Sequence, residues 1–251
     1  MIPTKSYAAL DPKKPLQAFK IQRREPGKND VHIKIMFCGI CHTDIHQARN
    51  EWGHSIFPMV PGHEIVGQVV TTGALVKKFK KGDFVGVGCM VDSCGTCKDC
   101  KDHVEQFCNT VSYTYNSQDL KTKEVTYGGY ADSIVVNQKF VLKISKTLKL
   151  AAVAPLLCAG ITTYSPLKKW KVQPGQKVGV VGLGGLGHMA VKIAKAMKAH
   201  VVVFTTSKNK SADAKKLGAK EVIISNNAND MTKHALSFDF ILDTVAASHD
   251  I

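Results

Sequence analysis

Arginine is scarce in a chain otherwise crowded with cations. Of 34 basic residues, against 20 acidic ones, only Arg23, Arg24 and Arg49 are arginines; the rest are lysines, and the net charge is +14. Readers of bases and phosphates rely on the bidentate guanidinium fork, whereas these lysines are dispersed. The charge therefore argues against specific nucleic-acid binding and for a solvated face that also attracts an anionic ligand. Long apolar runs are missing too. The longest, Leu150 to Ile161, is too short to span a bilayer and contains Pro155. The opening Met1-Ile2-Pro3-Thr4-Lys5-Ser6 has no apolar signal-peptide core. These absences set the expectation of a soluble, cytoplasmic protein that does not associate with membranes. In that reducing compartment eight cysteines are expected to bind metal and not to pair as disulfides. With 44% hydrophobic and 22% charged residues general disorder is excluded, and 251 residues suit two modest cores better than one.

Cysteine is what the chain has in a pattern. Cys94-Gly95-Thr96-Cys97-Lys98-Asp99-Cys100 is followed, after seven intervening residues, by Cys108. Two-residue spacers let the chain wrap so that neighbouring thiolates reach one tetrahedral ion. A ferredoxin-type cluster wants a three-residue gap and a proline after its last cysteine, and here Asn109 follows Cys108. The lobe 89–110 is thus expected to hold a closed, structural Zn²⁺. Cys38 and Cys89 are assigned to packing.

A second donor set is scattered. The run Phe37-Cys38-Gly39-Ile40-Cys41-His42-Thr43-Asp44-Ile45-His46 reads as a short loop that crowds a thiol, a hydroxyl, a carboxylate and an imidazole together. Gly62-His63-Glu64 adds another imidazole and carboxylate, and Cys158 a distant thiol. Two sulfurs, one nitrogen and an open fourth position suit a catalytic zinc. Glu64 either approaches that metal or forms a salt bridge.

The first half reads as strands. Val31-His32-Ile33-Lys34-Ile35 alternates apolar and polar; His63 stands at the entrance to another strand. Lys81-Gly82-Asp83 turns into a glycine-punctuated strand, and further strands are predicted at 130–136 and 140–144. Many short strands with Gly and Pro turns predict a β-barrel-like domain. The second half changes character at residues 175–181, a short strand that runs directly into Gly182-Leu183-Gly184-Gly185-Leu186-Gly187. Leu186, Met189, Ala190, Ile193, Ala194 and Met197 then recur at helical spacing. A GxGxxG between a strand and an amphipathic helix predicts dinucleotide binding, with pyrophosphate on the helix N-terminus. The next strand, 200–204, lacks the acid that would accept from a ribose 2′-OH. It ends in Thr205-Thr206-Ser207-Lys208-Asn209-Lys210, which favours NADP(H), with Thr206, Ser207, Lys208 and Lys210 as candidate phosphate contacts. Strands at 221–224 and 238–243 follow.

Together, Gly39-Ile40-Cys41-His42-Thr43-Asp44, Gly62-His63-Glu64, Gly82-Asp83, Val85-Gly86-Val87-Gly88, the four-cysteine lobe, Gly128-Gly129-Tyr130 and Pro155-Leu156-Leu157-Cys158-Ala159-Gly160-Ile161-Thr162 resemble the zinc-dependent medium-chain alcohol dehydrogenases. More narrowly the set is similar to their cinnamyl-alcohol-dehydrogenase-like branch. The resemblance implies a class of α/β plus β: a GroES-like β-barrel catalytic domain over 1–150, then a hinge and a Rossmann doubly wound parallel sheet over 151–251. Because that sheet continues further in the family, the chain is expected to be C-terminally incomplete, the complete enzyme being a homodimer.

The implied activity is hydride transfer between NADP(H) and a primary alcohol or aldehyde (aromatic or medium-chain aliphatic), in the direction of aldehyde reduction, with two Zn²⁺ per chain. Cys41, His63, Glu64 and Cys158 are the implied catalytic-zinc set, and Asp44 the residue that orients His63. Thr43 and His46 form the implied proton path, Trp52 and Tyr113 the pocket wall, and Thr162 a cofactor contact beside Gly182, Gly184, Gly185, Leu186 and Gly187. The competing reading is a zinc-stabilised binding protein or fragment without turnover.

Overall fold

The computed structural model describes residues 1–249; Asp250 and Ile251, the end of the expected second domain, lie outside the described residues. The chain divides into two compact units, Met1–Cys158 and a second beginning at Ala159. The division falls after Cys158 and not after residue 150, because Val153, Ala154 and Leu157 are buried against Val66 of the first unit.

In the first unit, β1 (Ile2–Ala8) and β2 (Gln17–Arg23) form an antiparallel pair. Then come β3 (Asp30–Cys38), α1 (His42–Ala48), β4 (Ile65–Thr72), β5 (Phe84–Val87) and β6 (Met90–Asp92). They are followed by α2 (Lys98–Lys101), β7 (Ser112–Tyr113), β8 (Ser133–Asn137), β9 (Leu142–Lys143) and α3 (Leu150–Val153). The main sheet has the order β8-β3-β4-β5-β9 and is antiparallel throughout. Its alternating side chains bury Val31, Ile33, Ile65, Val69, Val85, Val87, Ile134 and Val136 in one core, each contributing about 2 kcal/mol by burial. The predicted strand at 130–136 starts only at Ser133, because the backbone of Gly128, Gly129 and Tyr130 instead bonds to residues 60–62. Residues 138–140 form a 3₁₀ turn that shortens the strand predicted at 140–144.

The second unit contains α4 (Ala159–Lys169), β10 (Lys177–Val181), α5 (Gly185–Ala196), β11 (His200–Thr205) and α6 (Ser211–Leu217). It ends with β12 (Glu221–Ile224), α7 (Ala228–Lys233) and β13 (Phe240–Asp243). Its sheet is parallel, in the order β12-β11-β10-β13. The centre of this sheet is covered on both faces: Val201 and Val203 join one core and Val202 and Phe204 another. That double burial explains the uninterrupted apolar run of β11. Among the described residues no single helix is long and apolar enough to cross a membrane.

Candidate active site and metal centres

The β3–β4 pairing builds the first site. Cys38 lies opposite Ile65 in register, so the residues just beyond β3 meet those just before β4. The Gly39 N–H donates to the Glu64 carbonyl at 2.9 Å and fixes that junction. Where the sequence reads as a loop, the chain instead forms the helix α1 from His42 to Ala48. The Asp44 carboxylate reaches back to accept from the Cys41 N–H at 2.9 Å, a capping arrangement that stabilises the first turn. Cys158 arrives from the other side, where Leu157 packs against Gly86 and Gly88 of the β5 region so closely that a Cβ at residue 88 would lie 2.8 Å from the Leu157 carbonyl.

The ligand atoms of Cys41, His63, Glu64 and Cys158 consequently lie within 4.8 Å of one another. The Cys41 and Cys158 sulfurs are 3.9 Å apart; Zn–S bonds of ~2.3 Å in a tetrahedron place sulfurs ~3.8 Å apart. His63 is buried, with Nδ1 3.5 Å from Asp44 Oδ1, and its Nε2 has no hydrogen-bond partner among the described residues. A buried, unpaired imidazole nitrogen is costly unless it has another use, and coordination is the use its neighbours suit. The donor set thus fits a zinc ion.

Electrostatics agree with that fit. Burial disfavours the His63 imidazolium, but Asp44, Cys158 and Cys41 together outweigh it and hold its pKa at about 12. Its contact with Cys158, and burial, push the Cys41 thiol up to about 11. Burial raises Glu64 to about 7. The cluster without an ion is therefore a store of protons that a metal would displace.

The second cluster is local. Cys94 and Cys100 sulfurs stand 3.8 Å apart, and Cys108 and Cys94 3.6 Å, again tetrahedral edge lengths. Backbone N–H groups of Thr96 and Cys97 point at the Cys94 sulfur, at 3.5 and 3.3 Å, and pull its thiol down to about 5. The β6–β7 pair closes the base of this lobe. All four sulfurs are used, so the site has no position for a substrate.

Around the first cluster, His46 Nδ1 bonds the Glu51 carboxylate, and its ring stacks on Trp52 at 5.0 Å between centroids. Thr43 follows one residue into α1, and Trp52 is 48% exposed. Tyr113 lies on β7 opposite Met90, half-exposed. In the second unit the glycine turn leaves open space above Gly184 and Gly185, where an added Cβ would meet nothing within 4 Å. At Gly187 a Cβ would lie 2.2 Å from the Gly182 carbonyl, so strand and helix can approach this closely only with glycine there. Helix α5 starts at Gly185 and carries Leu186 and Gly187 in its first turn with no side-chain cap, which leaves N–H donors for an anion. Thr206, Lys208 and Lys210 are exposed past the end of β11, with Ser207 half-buried between them, and Thr162 is exposed on α4.

Residues 27–146 match the alcohol dehydrogenase GroES-like domain family, and residues 185–251 match the zinc-binding dehydrogenase family. The aldehyde reductase YahK of Escherichia coli is 56% identical over 248 residues, spanning 98% of this chain and 71% of that protein. The chain belongs to the zinc-dependent medium-chain alcohol dehydrogenase family. A cinnamyl alcohol dehydrogenase of Sorghum bicolor superposes with a TM-score of 0.96 at 46% identity, over 99% of this chain and 71% of that one. The CAD of Helicobacter pylori, solved complexed with NADP(H), gives 0.93 at 46% identity, over 99% and 70%. As an alcohol dehydrogenase of this kind, the protein is an α/β plus β oxidoreductase, and a non-catalytic binding role is not favoured.

Several residues around the alcohol dehydrogenase site carry no sequence signal of their own. Glu51 as partner of His46 is one. The Tyr115 ring stacks on His63 at 5.8 Å. Cys89 is a third, because its thiol interacts with Cys158, which lowers its pKa; it borders the metal cluster and is more than packing. Glu51 is set by the turn that ends α1, where its N–H donates to the His46 carbonyl at 2.9 Å, whereas Tyr115 and Cys89 reach the cluster through contacts between segments distant in sequence.

Proposed function

We propose that this alcohol dehydrogenase is an NADP(H)-dependent aldehyde reductase acting on aromatic and medium-chain aliphatic aldehydes. The observation that carries the reading is the unpaired Nε2 of buried His63 beside the Cys41 and Cys158 sulfurs. Cys41, His63 and Cys158 hold the ion, Glu64 stands within reach as an exchangeable donor, and Asp44 keeps Nδ1 of His63 occupied so that Nε2 faces the metal. When bound, zinc polarises a carbonyl oxygen as a Lewis acid and NADPH supplies the hydride.

The chain's own groups do the rest. Thr43 and His46 carry a proton between the substrate oxygen and water; the Glu51 carboxylate accepts from His46 Nδ1–H and holds the tautomer whose bare Nε2 takes up the relayed proton. Trp52, stacked on His46, and Tyr113 offer aromatic surface to an aryl or alkyl group. Gly184, Gly185, Leu186 and Gly187 receive the pyrophosphate, Thr162 a further part of the cofactor, and Thr206, Ser207, Lys208 and Lys210 the 2′-phosphate. The four-cysteine lobe binds the second, structural zinc.

The test is the loss of NADPH absorbance with cinnamaldehyde or benzaldehyde, run in parallel with NADH. NADPH is expected to give a kcat/KM at least about tenfold higher, since a 2′-phosphate contact of charge-assisted hydrogen bonds contributes 1.5–3 kcal/mol, roughly, in each case. Replacing Lys208 and Lys210 with alanine should raise the KM for NADPH and spare that for NADH. Equal use of the two cofactors would overturn the NADP assignment.

A further inference from the structure

Behind the metal cluster stands a second layer that no motif announces. The Asp44 carboxylate is buried and accepts from the Cys41 N–H at 2.9 Å, the Gly62 N–H at 2.9 Å and the Tyr130 hydroxyl at 3.3 Å, and faces His63 at 3.5 Å. Two of its partners are backbone groups next to the metal-site residues themselves. Tyr130 comes from a different segment, and that segment is unusually well fixed.

On one side, the backbone N–H groups of Gly128, Gly129 and Tyr130 donate to the carbonyls of Val60, Gly62 and Pro61 at 2.7, 2.8 and 2.9 Å. The two strands of chain touch so closely that a Cβ at residue 128 would lie 2.4 Å from the Gly62 and Pro61 carbonyls. On the other side Arg23 donates from Nε to the Ser133 carbonyl at 3.0 Å, from Nη1 to Tyr127 at 2.6 Å and from Nη2 to Gly128 at 2.8 Å. Arg23 is buried, and among the described residues no carboxylate pairs with it. A buried guanidinium that faces only carbonyls is a costly arrangement, and burial pulls its pKa down to about 9. Such a fork satisfies three acceptors in fixed directions, which a single ammonium on a flexible stem cannot match.

We infer that Tyr130 is a positioning residue for the His63 ligand: held by the segment that Arg23 clamps, it sets the Asp44 carboxylate that aims His63 Nε2 at the metal. This rests on the metal reading above. Donors one step removed from a metal typically change its affinity 10–100-fold when lost, and Tyr130→Phe removes one hydroxyl without removing volume.

The experiment follows zinc release from the loaded protein to a chromophoric chelator, with the visible spectrum of the cobalt-substituted protein and the thermal midpoint measured alongside. Tyr130→Phe is expected to speed release of one ion about tenfold and to shift the cobalt bands. The other ion and the midpoint should remain at the wild-type values. Arg23→Lys, which keeps charge but loses the fork, should accelerate the same ion. Release and spectrum unchanged in Tyr130→Phe would overturn the positioning role while leaving the metal reading intact. A Cys41→Ser protein that still releases two ions would overturn both.

Discussion

The two cysteine clusters gather metal-binding donors, four sulfurs in one and two sulfurs with an imidazole and a carboxylate in the other, through opposite constructions. The lobe draws its four sulfurs from residues 94–108, one stretch of chain, partly exposed, with backbone N–H groups already aimed at Cys94. The Cys41 cluster draws its donors from the ends of β3 and β4 and from a turn that follows α3, more than a hundred positions apart in sequence. It is the more enclosed of the two at its imidazole, and it keeps an unpaired nitrogen and a carboxylate lifted to about 7. The lobe closes its own loop and gains stability from the ion; the distributed cluster uses the stability of a sheet to hold an ion with a position left over. A site that organises its own chain spends all its ligands on doing so, and one that performs chemistry needs a scaffold to free one.

That contrast can be broken most sharply at Cys41. Cys41→Ser is expected to lower aldehyde reduction by more than about a thousandfold, the scale of losing an electrostatic stabiliser of the reacting oxygen, while metal analysis falls from two zinc ions per chain to one. Retained turnover would mean that the distributed cluster does not hold the reactive metal. The complementary change, Cys100→Ala in the lobe, should do the reverse: the ion near Cys41 stays, and the thermal midpoint falls by about 10 °C as a structural ion is weakened or lost. An unchanged midpoint would show that the lobe folds without help.

The smallest effect concerns protons. In the metal-free distributed cluster His63 holds its proton up to about pH 12 and Cys41 up to about pH 11. Both are therefore protonated at neutral pH and must release a proton on metal binding. Protons compete with the ion, so its affinity rises with pH and falls as the solution is acidified, by about tenfold or more per pH unit. A competition titration against a chromophoric chelator between pH 6 and 8, roughly, measures the slope; a flat line would show that these donors are already deprotonated.

How much of this was legible in the sequence follows the same division between local and distributed. The strand β12 at 221–224, the glycine turn with α5, and the four-cysteine spacing are written in neighbouring residues, and the structure has them where periodicity and spacing put them. The pair β1 and β2 at the N-terminus went unread, because its stabilisation comes from pairing across a gap and not from a strong pattern within either strand. At Cys41 to His46 the residue types were informative and the conformation was not. A capping carboxylate at Asp44 turned an apparent loop into a helix, which brings His46 one turn round to Trp52. Tyr130 and Arg23 lie further out of reach, since their roles depend on three segments meeting behind His63.

Adjacent arginines at the end of β2 show what that hidden layer means for sequence change. Arg23 turns its fork to three carbonyls, while its neighbour Arg24 bridges Asp30 at 2.5 Å and Asp119 at 3.3 Å. Elsewhere one ammonium group can stand in for another on a wet surface with little consequence. At Arg23 the flat geometry of the head group matters more than its charge, so drift toward lysine, harmless over most of the chain, would loosen the seat of an ion that this residue never touches.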